Sequence, residues 1–419
     1  MSRLAPFDRL AFKLASFIAV ACLALLFLSA THAADETPAS RPTHYHADPE
    51  HLWNRLHEAL FVRGAFGQDR LEPLLWTSSK HLLEERSHTR AMAVLEEFLK
   101  NDGEKLIDDP LKRAVLQRDL WMVFNWLELG EFDFAEPRLS QKEAGAARER
   151  LRVPLAEVIA RLALTPQQIT ELPDNYSAAV ASGQFAKTHL PPDLFAADGP
   201  WVSVGRTDRQ TAPQHLRGEN PFSNSVFLIF IRLPVASTEA GEIGRQARMD
   251  VASYLKDRPV LPIGTELALV RRAMLIDTSH QVVPSNLNES VQLRVLHGSR
   301  ASEAAFEFRL SRSQLFANRA GGLRASGQDD RDFKTGFLSK TWDEIEDSES
   351  QGRLPGDRMQ PMLRCSVCHA ARHPEFLSGG TKDRPNPMAV MSVSDVSAAA
   401  IKWRVAHPTW VRLKRLLKN

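Results

Sequence analysis

Cysteine is nearly absent from this chain, with 3 among 419 residues, and that shortage excludes a disulfide-stapled scaffold. A chain of this length folds around an ordinary buried core instead. Beyond residues 14–28 no apolar run is long enough to cross a bilayer. Also missing are Gly-x-Ser-x-Gly, His-Glu-x-x-His and Gly-x-x-x-x-Gly-Lys-Ser/Thr, so the common hydrolase, zinc-protease and phosphate-loop signatures are excluded. Charge is balanced at 53 Lys/Arg against 51 Asp/Glu, which argues against a general polyanion binder, and no nucleic-acid partner is expected. There is no internal repeat and no low-complexity tract.

The first segment present is an export signal. Arg3, Arg9 and Lys13 precede the apolar run 14–28, and Ala30-Thr31-His32-Ala33 supplies the small residues that a signal peptidase needs. Residues 1–33 therefore read as a secretory signal peptide cut after Ala33, with Ala34 the neighbouring alternative. An uncleaved membrane anchor is the competing reading, and it is the one route to a membrane. Cys22, preceded by Ala19-Val20-Ala21, makes a poor lipoprotein site because apolar residues continue beyond it. The expected location is periplasmic or extracellular.

Removing the signal leaves two cysteines, and both lie in Cys365-Ser366-Val367-Cys368-His369. From 3 Cys and 14 His in 419 residues, roughly 7 in 10,000 chains would carry a C-x-x-C-H by chance. Thiols at this spacing can add to both vinyl groups of one porphyrin while the next imidazole meets the iron. The alternatives are a short-loop disulfide or half of a zinc site, although no second C-x-x-C supplies the remaining ligands.

On this motif the segment 359–419 resembles the c-type cytochromes. The resemblance implies one covalently bound haem c attached through Cys365 and Cys368, with His369 as proximal axial ligand, and it requires export. It further implies a distal ligand after the motif. Met388, in Pro385-Asn386-Pro387-Met388, is the first candidate because prolines stiffen its loop; Met391 and His407 are the alternatives. A core-filling role for both methionines competes with ligation. His373 follows His369 by one helical turn and would face the same way.

The chain reads as a multi-domain α plus β protein, with an N-terminal helical bundle, a middle antiparallel β-rich domain and a C-terminal mainly helical cytochrome c-like segment. After a flexible stretch 34–47, residues 48–185 carry helical periodicity. Asp48-Pro49, Asp109-Pro110 and Thr165-Pro166 look like helix starts, and Ser87 and Ser140 like caps, which together predict five to seven helices. Residues 186–340 turn strand-like at 225–233, 266–276, 291–296 and 305–310, with a helix inserted near 241–255. In 291–295 and 306–310 apolar and polar residues alternate, so one face of each strand is expected to be buried. An acidic linker, 341–358, leads to the motif.

Two further features invite a functional reading. His44, His46, His51 and His57 cluster in sequence and raise the question of copper or zinc. Residues 370–419 hold nine Lys/Arg against Glu375, Asp383 and Asp395, a basic tail suited to an acidic redox partner or to haem propionates; a solvated helix face is the plainer alternative. Three functions follow. The first is an exported monohaem electron-transfer protein serving a redox partner protein or a small-molecule electron donor or acceptor. The second is an extracytoplasmic enzyme using the haem as relay or active centre. The third is a non-catalytic binding protein whose C-x-x-C-H is a disulfide or another metal site.

Overall fold

The computed structural model describes residues 43–65, 68–71, 81–83, 85–127, 141–185, 190–206, 224–234, 243–257, 261–296, 304–326, 332–333, 358–359 and 388–418. Residues 1–33, read above as a signal peptide, nearly all of the expected acidic linker and the C-x-x-C-H motif lie outside the described residues. Mixed helices and a seven-stranded antiparallel sheet make up the fold. The described residues form one compact unit.

In the first half, α1 (Leu52–Phe61), α2 (Glu85–Lys100), α3 (Pro110–Leu127), α4 (Gln141–Arg161), α5 (Pro166–Thr170) and α6 (Asn175–Ala181) follow one another, with a small hairpin of β1 (Val62–Ala65) and β2 (Gln68–Leu71) after α1. Proline starts α3 and α5, where its missing N–H costs nothing. The Asp109 carboxylate accepts hydrogen bonds from the Leu111 and Lys112 amides at 2.9 and 3.3 Å. Thr165 and Gln168 cap α5 reciprocally. Ser87 is not a cap: α2 begins two residues earlier, at Glu85, and Ser87 sits in its first turn.

Helix α3 is the hub. Every residue from Ala114 to Leu127 is buried, because neighbours surround it on all sides. Gln117 replaces a strand neighbour at the end of the sheet: its carbonyl accepts from the Ile276 amide at 2.9 Å, and its amide donates to the Ile276 carbonyl at 2.8 Å.

The sheet contains β3 (Val202–Arg206), β4 (Ser225–Arg232), β5 (Glu266–Ile276), β6 (Val282–Val295), β7 (Ala304–Leu310) and β8 (Leu323–Ala325), while β9 (Asp332–Phe333) and β10 (Arg358–Met359) pair separately. Its order is β11-β3-β4-β5-β6-β7-β8, with β11 (Met388–Val390) at the edge. Strand β4 reads as a continuous apolar run because it is covered twice. Val226, Leu228 and Phe230 join the core shared with the helices, whereas Phe227, Ile229 and Ile231 join a second cluster with Ala247 and Val251 of α7 (Ile243–Asp257).

Two strand expectations change. Strand β6 begins nine residues before Val291, because Asn175 bonds both the amide and the carbonyl of Asn288, at 2.7 and 3.0 Å, and register shifts absorb the irregular, proline-containing stretch. The alternation in 306–310 fails at Glu307, which is buried and held by Gln292 and Arg309.

After α8 (Arg312–Phe316) and β8, the chain returns at Met388. Helices α9 (Val393–Ala406) and α10 (Pro408–Leu416) insert Val396, Ala400, Trp410 and Leu413 into the core that also holds Trp53, Trp121 and Phe308. Helical and strand-rich stretches thus share one hydrophobic cluster.

Candidate functional site

Cys365, Cys368 and His369 fall outside the described residues. The three distal-ligand candidates are described. Met388 opens β11 opposite Arg206 of β3, and its side chain is buried among Val202, Val204 and other members of the second apolar cluster. Met391 is half-buried and packs against the main core, and its amide donates to the Ser203 carbonyl at 3.1 Å. His407 caps α10. Its Nδ1 lies 3.0 Å from Thr409 Oγ1 and accepts from the Thr409 amide, so this nitrogen is committed to local structure. The donor types fit a haem c in their chemistry: two thiols, an imidazole and a thioether kept from water.

The histidine cluster resolves into two ring pairs. His46 and His51 stack with centroids 4.3 Å apart, and the Nδ1 of each accepts a nearby backbone amide. His44 and His57 meet edge-on at 4.8 Å, and His57 also stacks on Phe61. Burial, reinforced by Arg312 and His44, holds the His57 imidazole well below its usual range, so it is neutral at neutral pH. Among the described residues no group of three or more His, Cys, Asp or Glu side chains is arranged to hold a metal ion.

Sequence reading missed a buried ionic centre that joins α3 to the sheet. Tyr45 Oη donates to Asp119 Oδ2 at 2.8 Å, and Arg312 Nη2 donates to the same oxygen at 2.7 Å. Arg118 bridges Asp119 Oδ1 and Glu289 Oε1. Glu289 Oε2 accepts from Ser225 and, at 2.9 Å, from Arg271 Nε. Burial alone would push the Glu289 carboxyl up; Arg118 and Arg271, with the Ser225 hydroxyl, outweigh it and hold the group below the ordinary carboxylate range. The legible trace was Gln117-Arg118-Asp119, three consecutive polar residues inside the mostly apolar stretch from Ala114 to Leu127.

This centre holds charges rather than transferring protons. It contains no activated nucleophile, and each carboxylate is pinned by guanidinium groups that stay protonated. Its reach is architectural: it ties Tyr45, α3, β4, β5, β6 and α8 together.

The basic tail is partly spent inside the fold. Arg404 is fully buried, Arg412 pairs with Glu149, and Lys414 lies over the Trp410 ring, which leaves Lys402, Arg415 and Lys418 exposed among the described residues. Among the described residues no helix is long and apolar enough to cross a membrane. No family model matches the chain, and neither a curated protein nor a solved structure matches it.

Proposed function

We propose that this chain is an exported, c-type cytochrome-like electron-transfer protein carrying one haem c, attached through Cys365 and Cys368 with His369 as proximal ligand. The observation that carries the reading is the C-x-x-C-H, which holds the two cysteines left after residues 1–33 are removed. Export supports it, since such haems are joined outside the cytoplasmic membrane. Met388 is the proposed distal ligand. Its support is a thioether buried among Val202, Val204, Phe227 and Ile229, an apolar setting that keeps water away.

The bound haem would supply one-electron Fe(III)/Fe(II) chemistry, with His/Met ligation favouring a raised potential. The protein's own residues would do the remaining work. Two thiols would fix the porphyrin, His369 would set its proximal face, and β11, paired to β3, would hold Met388 without much entropy loss. A redox partner protein or small-molecule donor or acceptor would exchange the electron, with Arg415 and Lys418 available to an acidic surface.

The test is expression of the full chain with a periplasmic haem-attachment system. Reduced-minus-oxidised α and Soret bands are expected, with haem retained by the polypeptide on a denaturing gel and lost on Cys365→Ser plus Cys368→Ser replacement. A colourless wild-type product would overturn the reading. Met388→Leu conserves side-chain volume, so the fold should weaken by less than about 1.5 kcal/mol. Its ferrous haem should then bind carbon monoxide, and an unchanged spectrum would reject Met388 as ligand.

A further inference from the structure

A second buried polar node lies where α3, the start of β4, α9 and α10 meet, and its composition is one-sided. Arg404, Trp121, Asn125 and Asn224 are each fully buried. Arg404 Nη1 donates to Thr409 Oγ1 at 2.9 Å, and Nη2 donates to Asn125 Oδ1 at 2.7 Å. Asn125 Nδ2 then donates to Asn224 Oδ1 at 2.8 Å. The guanidinium lies over the Trp121 ring, 4.9 Å from its centroid.

The direction of this chain is imposed by the arginine. A guanidinium has donors only, so Asn125 must turn its oxygen toward Arg404 and its nitrogen toward Asn224. Asn224 accepts through its oxygen, and its NH2 has no acceptor among the described residues. Flipping Asn125 would set donor against donor. Arg404 Nε and Trp121 Nε1 are likewise buried without an acceptor among the described residues. The node therefore ends in three unanswered donors beside one guanidinium among the described residues.

Charge points the same way. Among the described groups no carboxylate acts on Arg404: burial alone pushes its guanidinium down to about 9, so it remains charged at neutral pH. Asp119 and Glu289, the acids of the neighbouring centre, are already committed to Arg118, Arg271 and Arg312. A buried cation with no counter-charge costs several kcal/mol, which the Trp121 face offsets only in part. A water molecule would answer a donor but leave the positive charge uncompensated. An anion only accepts.

We propose that this node binds one small monovalent anion of the halide class, chloride in ordinary buffers, using the free N–H groups of Arg404, Asn224 and Trp121. One uncompensated positive charge calls for one negative charge. A divalent oxyanion would overcompensate it and would be far more costly to dehydrate.

Thermal unfolding of the full chain, measured at fixed ionic strength with sodium gluconate exchanged for sodium chloride, tests the proposal. The Tm should climb with chloride concentration, as for any ligand that binds only the folded state. Asn224→Asp supplies a fixed carboxylate, so this variant should lose the chloride dependence while melting in gluconate no lower than the wild type. Crystals grown in sodium bromide should show an anomalous peak within hydrogen-bond distance of Arg404 Nε. Equal Tm in chloride and gluconate for the wild type would overturn the proposal, as would a chloride dependence that survives Asn224→Asp, or bromide crystals with no peak at Arg404.

Discussion

Single buried residues carry much of the pH sensitivity expected of this protein. His57 is neutral in the fold and free to protonate in the unfolded chain near its ordinary value of 6.5. Its folded value is depressed, so the unfolded state binds more protons below that pH, and stability falls as the solution is acidified. The slope from this one group reaches at most about 1.4 kcal/mol per pH unit. Urea titrations between pH 7 and 5 should show it, and His57→Phe should flatten it; an unaltered slope in the variant would locate the effect elsewhere. Glu289 acts in a lower window. Its folded value is depressed by Arg118 and Arg271, so its contribution is present above the ordinary carboxylate range and is lost as pH drops through the folded value. Glu289→Gln leaves two buried guanidinium groups facing a neutral amide and should cost about 3–5 kcal/mol at pH 7. Denaturant midpoints with an unchanged m-value would report it.

At the scale of elements, local chemistry and tertiary contact divide the work. Thr165-Pro166 identifies the start of α5 in the sequence, because capping and proline placement are properties of adjacent residues. Thr165→Ala should cost about 1 kcal/mol. Strand β5 and the inserted helix are legible for a similar reason, since their apolar content and period are local. The edge strand β11 is not. Three residues, Met388 to Val390, have no pattern of their own and become a strand only because β3 is beside them. Gly321 is another such case. It adopts a positive φ of 61° against α6, where an added Cβ would lie 1.9 Å from the Asn175 carbonyl oxygen. Asn175 in turn holds Asn288 on β6, so Gly321→Ala should unsettle the α6 to β6 contact and cost well over 1 kcal/mol. Hydrogen exchange at the Asn288 amide should rise with the loss of stability.

Across the whole molecule, one core joins segments far apart in the chain. Tyr45, Trp121, Phe308 and Leu413 belong to the same cluster, so helical and strand-rich stretches should unfold together. Far-ultraviolet circular dichroism and tryptophan fluorescence should trace a single coincident urea transition; two separated transitions would show independent units. The C-terminal helices are part of this body, and removing residues 391–419 would strip Trp410 and Leu413 from the core along with Arg404. Such a truncation should fail to fold.

The sequence by itself determined features whose causes are local, the starts of α3 and α5 and the apolar strands, and it alone carries the proposed export signal and the five-residue motif behind the functional proposal. Spacing of two thiols and an imidazole is a covalent matter and needs no fold to be read. Only the tertiary structure decided which charges meet. Arg118 and Glu289 are 171 residues apart, and Arg404 and Asn125 are 279 apart. No period or composition encodes such pairs, because burial, which makes each charge need a partner, exists only once the chain has closed around it.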